Sequence, residues 1–183
     1  MLKYLAIPWI VFCVVWAIGS FRAKRAVKTE ATRSYLSHNI FLIVGALFLF
    51  AWPPIVRTQL IPLSIAIFIV AFALTCLGIA FTIWARVVIA GSWSANVTIK
   101  EGHELTTTGP YRLVRHPIYT GLLFALVGTA IGLGTFGALV ALPLFVLGLW
   151  MKLRIEERFL REQFGAQYDA YAARSKALIP FLW

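Results

Sequence analysis

The chain alternates long apolar runs with short polar stretches. Apolar runs at residues 2–19, 40–55 and 60–85 are separated by a basic segment and by a turn signal at Trp52, Pro53 and Pro54. A helix needs about 17–25 residues to cross a bilayer, so each run predicts a membrane span, with Trp84 as an interfacial aromatic. The pattern then changes: residues 86–116 are polar. Within them Asn96-Val97-Thr98-Ile99 and Leu105-Thr106-Thr107 flank Glu101-Gly102, which predicts a short hairpin. Residues 117–151 are apolar again but broken at Gly132-Leu133-Gly134-Thr135-Phe136-Gly137, predicting a fourth and fifth span joined as a helical hairpin. Gly121, Ala125, Gly128 and Gly132 place small residues on one face of the fourth span, a pattern for close helix packing.

Residues 152–176 read as an amphipathic helix continuing out of the fifth span. Leu153, Leu160, Phe164, Tyr168 and Tyr171 share a face by their spacings of three, four and seven. Glu157 falls on that same face, where a carboxylate is costly to bury unless something pairs with it.

Composition turns these runs into a fold class. Of 183 residues, 61% are hydrophobic and 13% charged, and the mean hydropathy is +0.84. That excludes disorder and exceeds the apolar share of a soluble domain, about 45–50%. The expectation is an all-α integral membrane protein of about five transmembrane helices. It forms a single domain, with three spans in residues 1–85 and a polar-site core in residues 86–183.

The net charge of +10 invites a nucleic-acid partner, but its distribution argues against one. Arg22, Lys24, Arg25, Lys28 and Arg33, then Lys100, Arg112 and Arg115, then the cations between residues 152 and 176 occupy alternate loops. The opposite turns hold only Arg57 or no charge. This bias places the basic loops in the cytoplasm, the N-terminus outside and the C-terminus inside. Cys13 and Cys76 lie in apolar runs, which supports neither a disulfide framework nor a metal site. The first run, without a small-residue cleavage site, reads as a retained anchor.

Two constellations could carry chemistry. The denser is the run of residues 109–121, with Tyr111, Arg112, Arg115, His116, Pro117, Tyr119 and Gly121 at the entry to the fourth span. Pro117 suits a first helical position and pushes His116 toward an extended backbone. Arg112, Arg115 and His116 would then surround a helix N-terminus, a seat for a carboxylate or phosphate. A basic membrane anchor explains the same composition equally well. The second constellation is Glu156-Glu157. Lys152, Arg161 and the Arg158–Glu162 pair offer partners four residues apart, so local ion pairs compete with a role in binding a diol or an ammonium group.

Together these segments carry a resemblance. Residues 97–105, Gly109-Pro110-Tyr111-Arg112, Arg115-His116-Pro117-x-Tyr119-x-Gly121, Glu156-Glu157 and Phe164-Gly165-x-x-Tyr168-x-x-Tyr171 occur in the order and spacing of one family. Over residues 78–180 the chain resembles the isoprenylcysteine carboxyl methyltransferases, relatives of the membrane phospholipid methyltransferases. The resemblance implies a membrane enzyme using S-adenosylmethionine on a lipid or isoprenoid-type acceptor. Its cofactor pocket would be formed by the polar loop, the start of the fourth span and the C-terminal helix. His116, Tyr119 and Glu157 are then the leading pocket residues, with Tyr111, Pro117, Gly121 and Glu156 beside them. Arg112 or Arg115 would align an acceptor carboxylate, whereas His116, Glu156 or Tyr119 would take a proton from an amine or thiol. The expected setting is a bacterial or archaeal plasma membrane. A membrane NADPH-dependent reductase of the sterol reductase type, or a non-enzymatic scaffold, are the alternatives.

Overall fold

The computed structural model describes residues 2–21, 26–50, 54–89, 98–100 and 104–179. A 3-10 turn, Leu2–Leu5, leads into α1 (Ala6–Ser20); α2 (Thr32–Phe50), α3 (Ile65–Ile89), α4 (Pro117–Leu133), α5 (Phe136–Phe164) and α6 (Ala166–Arg174) follow. Two short strands, β1 (Ala26–Thr29) and β2 (Thr98–Lys100), pair antiparallel. The helices around α1, α2, α3 and α5 are long and apolar enough to cross a membrane. The 17-residue α4 is about 25 Å long at 1.5 Å per residue, near the lower limit for a crossing.

The protein is apolar outside and small-residue inside. Ile10, Leu36, Ile43, Leu77 and Leu139 are each more than half exposed, as suits helices whose solvent is lipid. Between α3 and α4 the contact is made by Ala71, Thr75, Gly78, Thr82 and Ala85 against Gly121, Ala125 and Gly128, all buried. A Cβ on Gly128 would stand 2.7 Å from the Ala71 carbonyl oxygen. Lipid supplies no hydrophobic drive for helices to associate, so close approach of backbones must provide the attraction. The Trp9 indole adds a hydrogen bond to Thr129 Oγ1 at 2.9 Å. On the other side α2 lies against α5, with Leu49, Leu126, Ala130, Ala138 and Ala141 in the shared core.

The α4–α5 hairpin forms where the glycines predict it. Gly134, at φ 60°, ends α4 in the left-handed conformation that glycine adopts without steric cost. Thr135 Oγ1 caps α5 by accepting from the Ala138 amide. The segment before α3 is tied to this turn, since Leu60 and Ile61 donate to the Gly134 carbonyl at 2.8 and 3.0 Å.

Several expectations are corrected. The second helix starts at Thr32 rather than residue 40, because a helix propagates through polar residues and hydropathy marks only the part at lipid depth. The third begins at Ile65 rather than residue 60: Ser64 Oγ accepts from the Ile67 amide, while the residues before it are held by the α4–α5 turn. Among the described residues, residues 98–100 and 105–107 do not pair as a hairpin. Thr98–Lys100 pairs instead with Ala26–Thr29 of the first polar segment, and Leu105, Thr106 and Thr107 are not in a strand. An edge on the other polar segment at the same end of the bundle satisfies these backbone groups. The Trp52-Pro53 turn, Asn96-Val97 and Glu101-Gly102 lie outside the described residues.

Candidate functional site

The site is assembled from three parts of the chain at one end of α4 and α5. A 3-10 turn, Gly109–Arg112, brings Tyr111 inward, and Pro117 opens α4 as its first residue. His116 precedes it at φ −123° and ψ 60°, short of the fully extended backbone expected. The third part is a correction. The C-terminal helix is not continuous: Gly165, at φ 51°, ends α5 after Phe164 and α6 turns away. That reversal seats Tyr168 and Tyr171 in the interior, both buried.

Beyond α6 the chain forms a strap that the sequence did not disclose. Residues 175–178 run parallel to residues 114–116: the Arg115 amide donates to the Lys176 carbonyl at 2.8 Å and the His116 amide to the Ala177 carbonyl at 3.0 Å. Thr120 Oγ1 donates to the Leu178 carbonyl at 2.7 Å, and the Tyr171 hydroxyl to the Tyr111 carbonyl at 2.7 Å. The strap accounts for backbone groups before α4 that the helix itself cannot satisfy.

The charged groups interlock. Arg115 Nε and one terminal nitrogen each stand 2.8 Å from Glu157 Oε1. The other terminal nitrogen donates to the carbonyls of Ala172 and Ser175. The buried His116 ring lies between two carboxylates, with Nδ1 3.4 Å from Glu156 Oε2 and Nε2 3.5 Å from Glu157 Oε1. Its face is parallel to that of Tyr119, whose hydroxyl donates to Glu156 Oε1. Burial disfavours the imidazolium, but hydrogen bonding and charge from Glu156 and Glu157 outweigh it and hold His116 above its ordinary value. Burial pushes the Tyr111 hydroxyl up, and that of Tyr171 to about 12, so both stay neutral.

Of the predicted residues, Arg115, His116, Tyr119, Glu156 and Glu157 meet in one cluster, with Tyr111 and Pro117 buried beside it. Two do not join. Arg112 is exposed at the end of the 3-10 turn. Gly121 faces α3, where a Cβ would lie 2.6 Å from the Gly78 carbonyl oxygen. The local ion pairs expected around Glu157 are secondary: Arg161 reaches it only at 4.0 Å, and its close partner is Arg115.

The donor set can be tested against a zwitterionic cofactor carrying an ammonium and a sulfonium. His116 Nε2 is buried without a well-formed hydrogen bond. The Glu156 side chain keeps 24% exposure, against 9% for Glu157, so it is the carboxylate reachable from outside. Two carboxylates, one of them accessible, fit the cationic groups of such a cofactor.

The class is therefore an all-α integral membrane protein with a buried acid–base cluster at one end of its helices. A model for phospholipid methyltransferases matches residues 66–167, over half of the chain, and the chain belongs to that family. It is also similar to a probable protein-S-isoprenylcysteine O-methyltransferase of Oryza sativa subsp. indica, 40% identical over 87 residues, covering 45% of this chain and 44% of the relative. The Schizosaccharomyces pombe protein-S-isoprenylcysteine O-methyltransferase is 35% identical over 118 residues, covering 61% and 49%. The cobalt-zinc-cadmium resistance protein CzcN of Cupriavidus metallidurans is 29% identical over 126 residues, covering 68% and 53%. The chain thus spans about half the length of the curated relatives it matches.

Proposed function

We propose that this protein is an S-adenosylmethionine-dependent membrane methyltransferase acting on a lipid or isoprenoid-type acceptor. The observation that carries the reading is the Arg115–His116–Glu156–Glu157 cluster, two carboxylates and two cations locked together beneath the strap. It lies within residues 66–167, the stretch matched by the family model.

When bound, the cofactor supplies an electrophilic methyl group on a sulfonium. Glu156 and Glu157 would hold its cationic end, and Tyr119 and His116 would line the same wall. Arg115 holds the Glu157 carboxylate in place, and the strap fixes Arg115 in turn. Methyl transfer needs donor carbon and nucleophile held in line with water excluded, and such orientation contributes up to about 7–11 kcal/mol in favourable cases. A cluster whose rotamers are set by mutual hydrogen bonds suits that task. The positive-inside bias supports a cytoplasmic placement of this end with the N-terminus outside, and the setting in this reading is a bacterial or archaeal plasma membrane. A water-soluble cofactor then arrives from one side while a lipid acceptor enters between helices.

Calorimetry with S-adenosylhomocysteine and with NADPH tests the reading. Heat with the first and none with the second is expected, and NADPH binding alone would overturn it. Mass spectrometry of lipids incubated with the protein and a methyl-labelled donor would then identify the acceptor.

A further inference from the structure

A lateral cleft stands at the end of the helices opposite the acid–base cluster. Its volume is about 420 Å³, and it lies between α1, the end of α2 and the last turns of α4, walled by Leu5, Trp9 and Cys13, by Phe50, and by Thr129 and Leu133. Leu5 is seated on α4 through Gly132, where a Cβ would stand 2.6 Å from Leu5 Cδ1. Tyr119 of the cluster precedes Thr129 on α4 by ten residues, about 15 Å at 1.5 Å per residue. Cleft and cluster therefore open at the depths of opposite leaflets.

The wall suits hydrocarbon. The Trp9 indole donates to Thr129 Oγ1 at 2.9 Å, and that hydroxyl donates to the Ala125 carbonyl at 2.8 Å, so these polar groups are spent on one another and on the backbone. The Cys13 thiol behaves as a small hydrophobe. The rim continues the lipid-facing surface: Ile10 and Val14 line the cleft and are 60% and 52% exposed, on a helix long and apolar enough to cross a membrane. Water finds no partners in such a space, and leaving it empty would forfeit the dispersion contacts of its lining. Polar ties hold α1 near its two ends, the Trp9 bond and the Arg86 guanidinium, which donates to the Gly19 carbonyl at 2.8 Å. Beside the first of these ties the cleft is the unfilled part of the contact.

The mouth carries a cation. Leu2 lines the cleft, and the 3-10 turn Leu2–Leu5 places Lys3 next to it, exposed, with Nζ 5.5 Å from the centre of the Tyr4 ring. A lysine and a tyrosine at the end of a span meet the headgroup layer with their polar tips while their apolar parts stay in the membrane. We propose that the cleft binds one acyl chain of a membrane phospholipid from the leaflet opposite the cluster, with the lipid phosphate at Lys3. The chain completes the packing of α1 against α2 and α4. Because it enters from the other leaflet, this lipid is distinct from the methyl acceptor, and the inference does not depend on the methyltransferase reading.

The test titrates the detergent-solubilised full chain with phosphatidylglycerol brominated on its acyl chains, which quenches tryptophan fluorescence on contact. Quenching should saturate at one lipid per protein. The saturating part should vanish in Trp9→Phe, which removes the reporter, and in Ala6→Phe, which puts a ring into the cleft that Ala6 lines. Lys3→Gln should weaken binding about fivefold, whereas brominated diacylglycerol, which has no phosphate, should bind wild type and Lys3→Gln alike. The phospholipid should raise the unfolding midpoint of wild type and leave that of Ala6→Phe where it was. Should Ala6→Phe fail to fold, Cys13 decides: in Cys76→Ser the phospholipid should slow alkylation of Cys13 by a maleimide. Quenching that rises without saturating, or unchanged saturation in Ala6→Phe, would mean general contact with lipid and overturn the proposal. A Cys13–Cys13 cross-link that the phospholipid does not prevent would place a second copy of the chain in the cleft and overturn it as well.

Discussion

Arg115 and Glu157, 42 residues apart in the chain, meet through two nitrogen–oxygen contacts of 2.8 Å on a single carboxylate oxygen. Their side chains are only 13% and 9% exposed. Removing one partner of such a pair leaves a buried charge uncompensated, which costs about 3–5 kcal/mol, toward the lower end where some water still reaches. Arg115→Ala is therefore expected to lower the thermal unfolding midpoint in detergent and abolish S-adenosylhomocysteine binding. A differential scanning trace unchanged from wild type would contradict the assignment.

Arg112 provides the contrast. It is exposed and outside the cluster, so Arg112→Ala should change stability by no more than about 0.5 kcal/mol, as expected for a surface substitution. Cofactor affinity, measured by calorimetry, should stay at the wild-type value.

The strap can be tested through one hydroxyl. Thr120→Val keeps the side-chain shape but strands the Leu178 carbonyl, at a cost of about 1–3 kcal/mol for a buried unsatisfied group. Limited proteolysis should then cleave the C-terminal residues faster than in wild type while α4 and α5 remain intact. Equal cleavage rates would show that the strap is held elsewhere.

His116 sets a pH dependence with a definite sign. Its folded value is raised above the ordinary 6.5, so the folded state binds the proton more tightly than the unfolded chain. The resulting stability is fully present below about pH 6.5 and is lost as the pH rises through the raised value. Unfolding midpoints measured across that range should fall with pH, and His116→Asn should flatten the dependence.

The small residues of α4 separate packing from chemistry. A Cβ on Gly121 or Gly128 would meet the α3 backbone well inside contact distance, and overpacking costs about 1–3 kcal/mol. Gly121→Ala and Gly128→Ala should both lower the unfolding midpoint by similar amounts. If Gly121→Ala alone weakened S-adenosylhomocysteine binding in protein that still folds, Gly121 would belong to the pocket after all.

The sequence by itself determined the membrane class, the α4–α5 hairpin at Gly134, the start of α4 at Pro117 and the core of the polar cluster. These rest on local rules: apolar length for a span, glycine where the backbone turns left-handed, proline where an amide is not needed. Only the tertiary structure decided who pairs with whom. Ion pairing at four-residue spacing suggested helical neighbours for Glu157, but burial favours the partner that can also be buried, and Arg115 arrives from another helix entry. The helix expected to run to residue 176 gives way at Ser175 to the strap, unannounced because a backbone strap has no side-chain signature. Residues 98–100 found their strand partner in the first polar segment for the same reason.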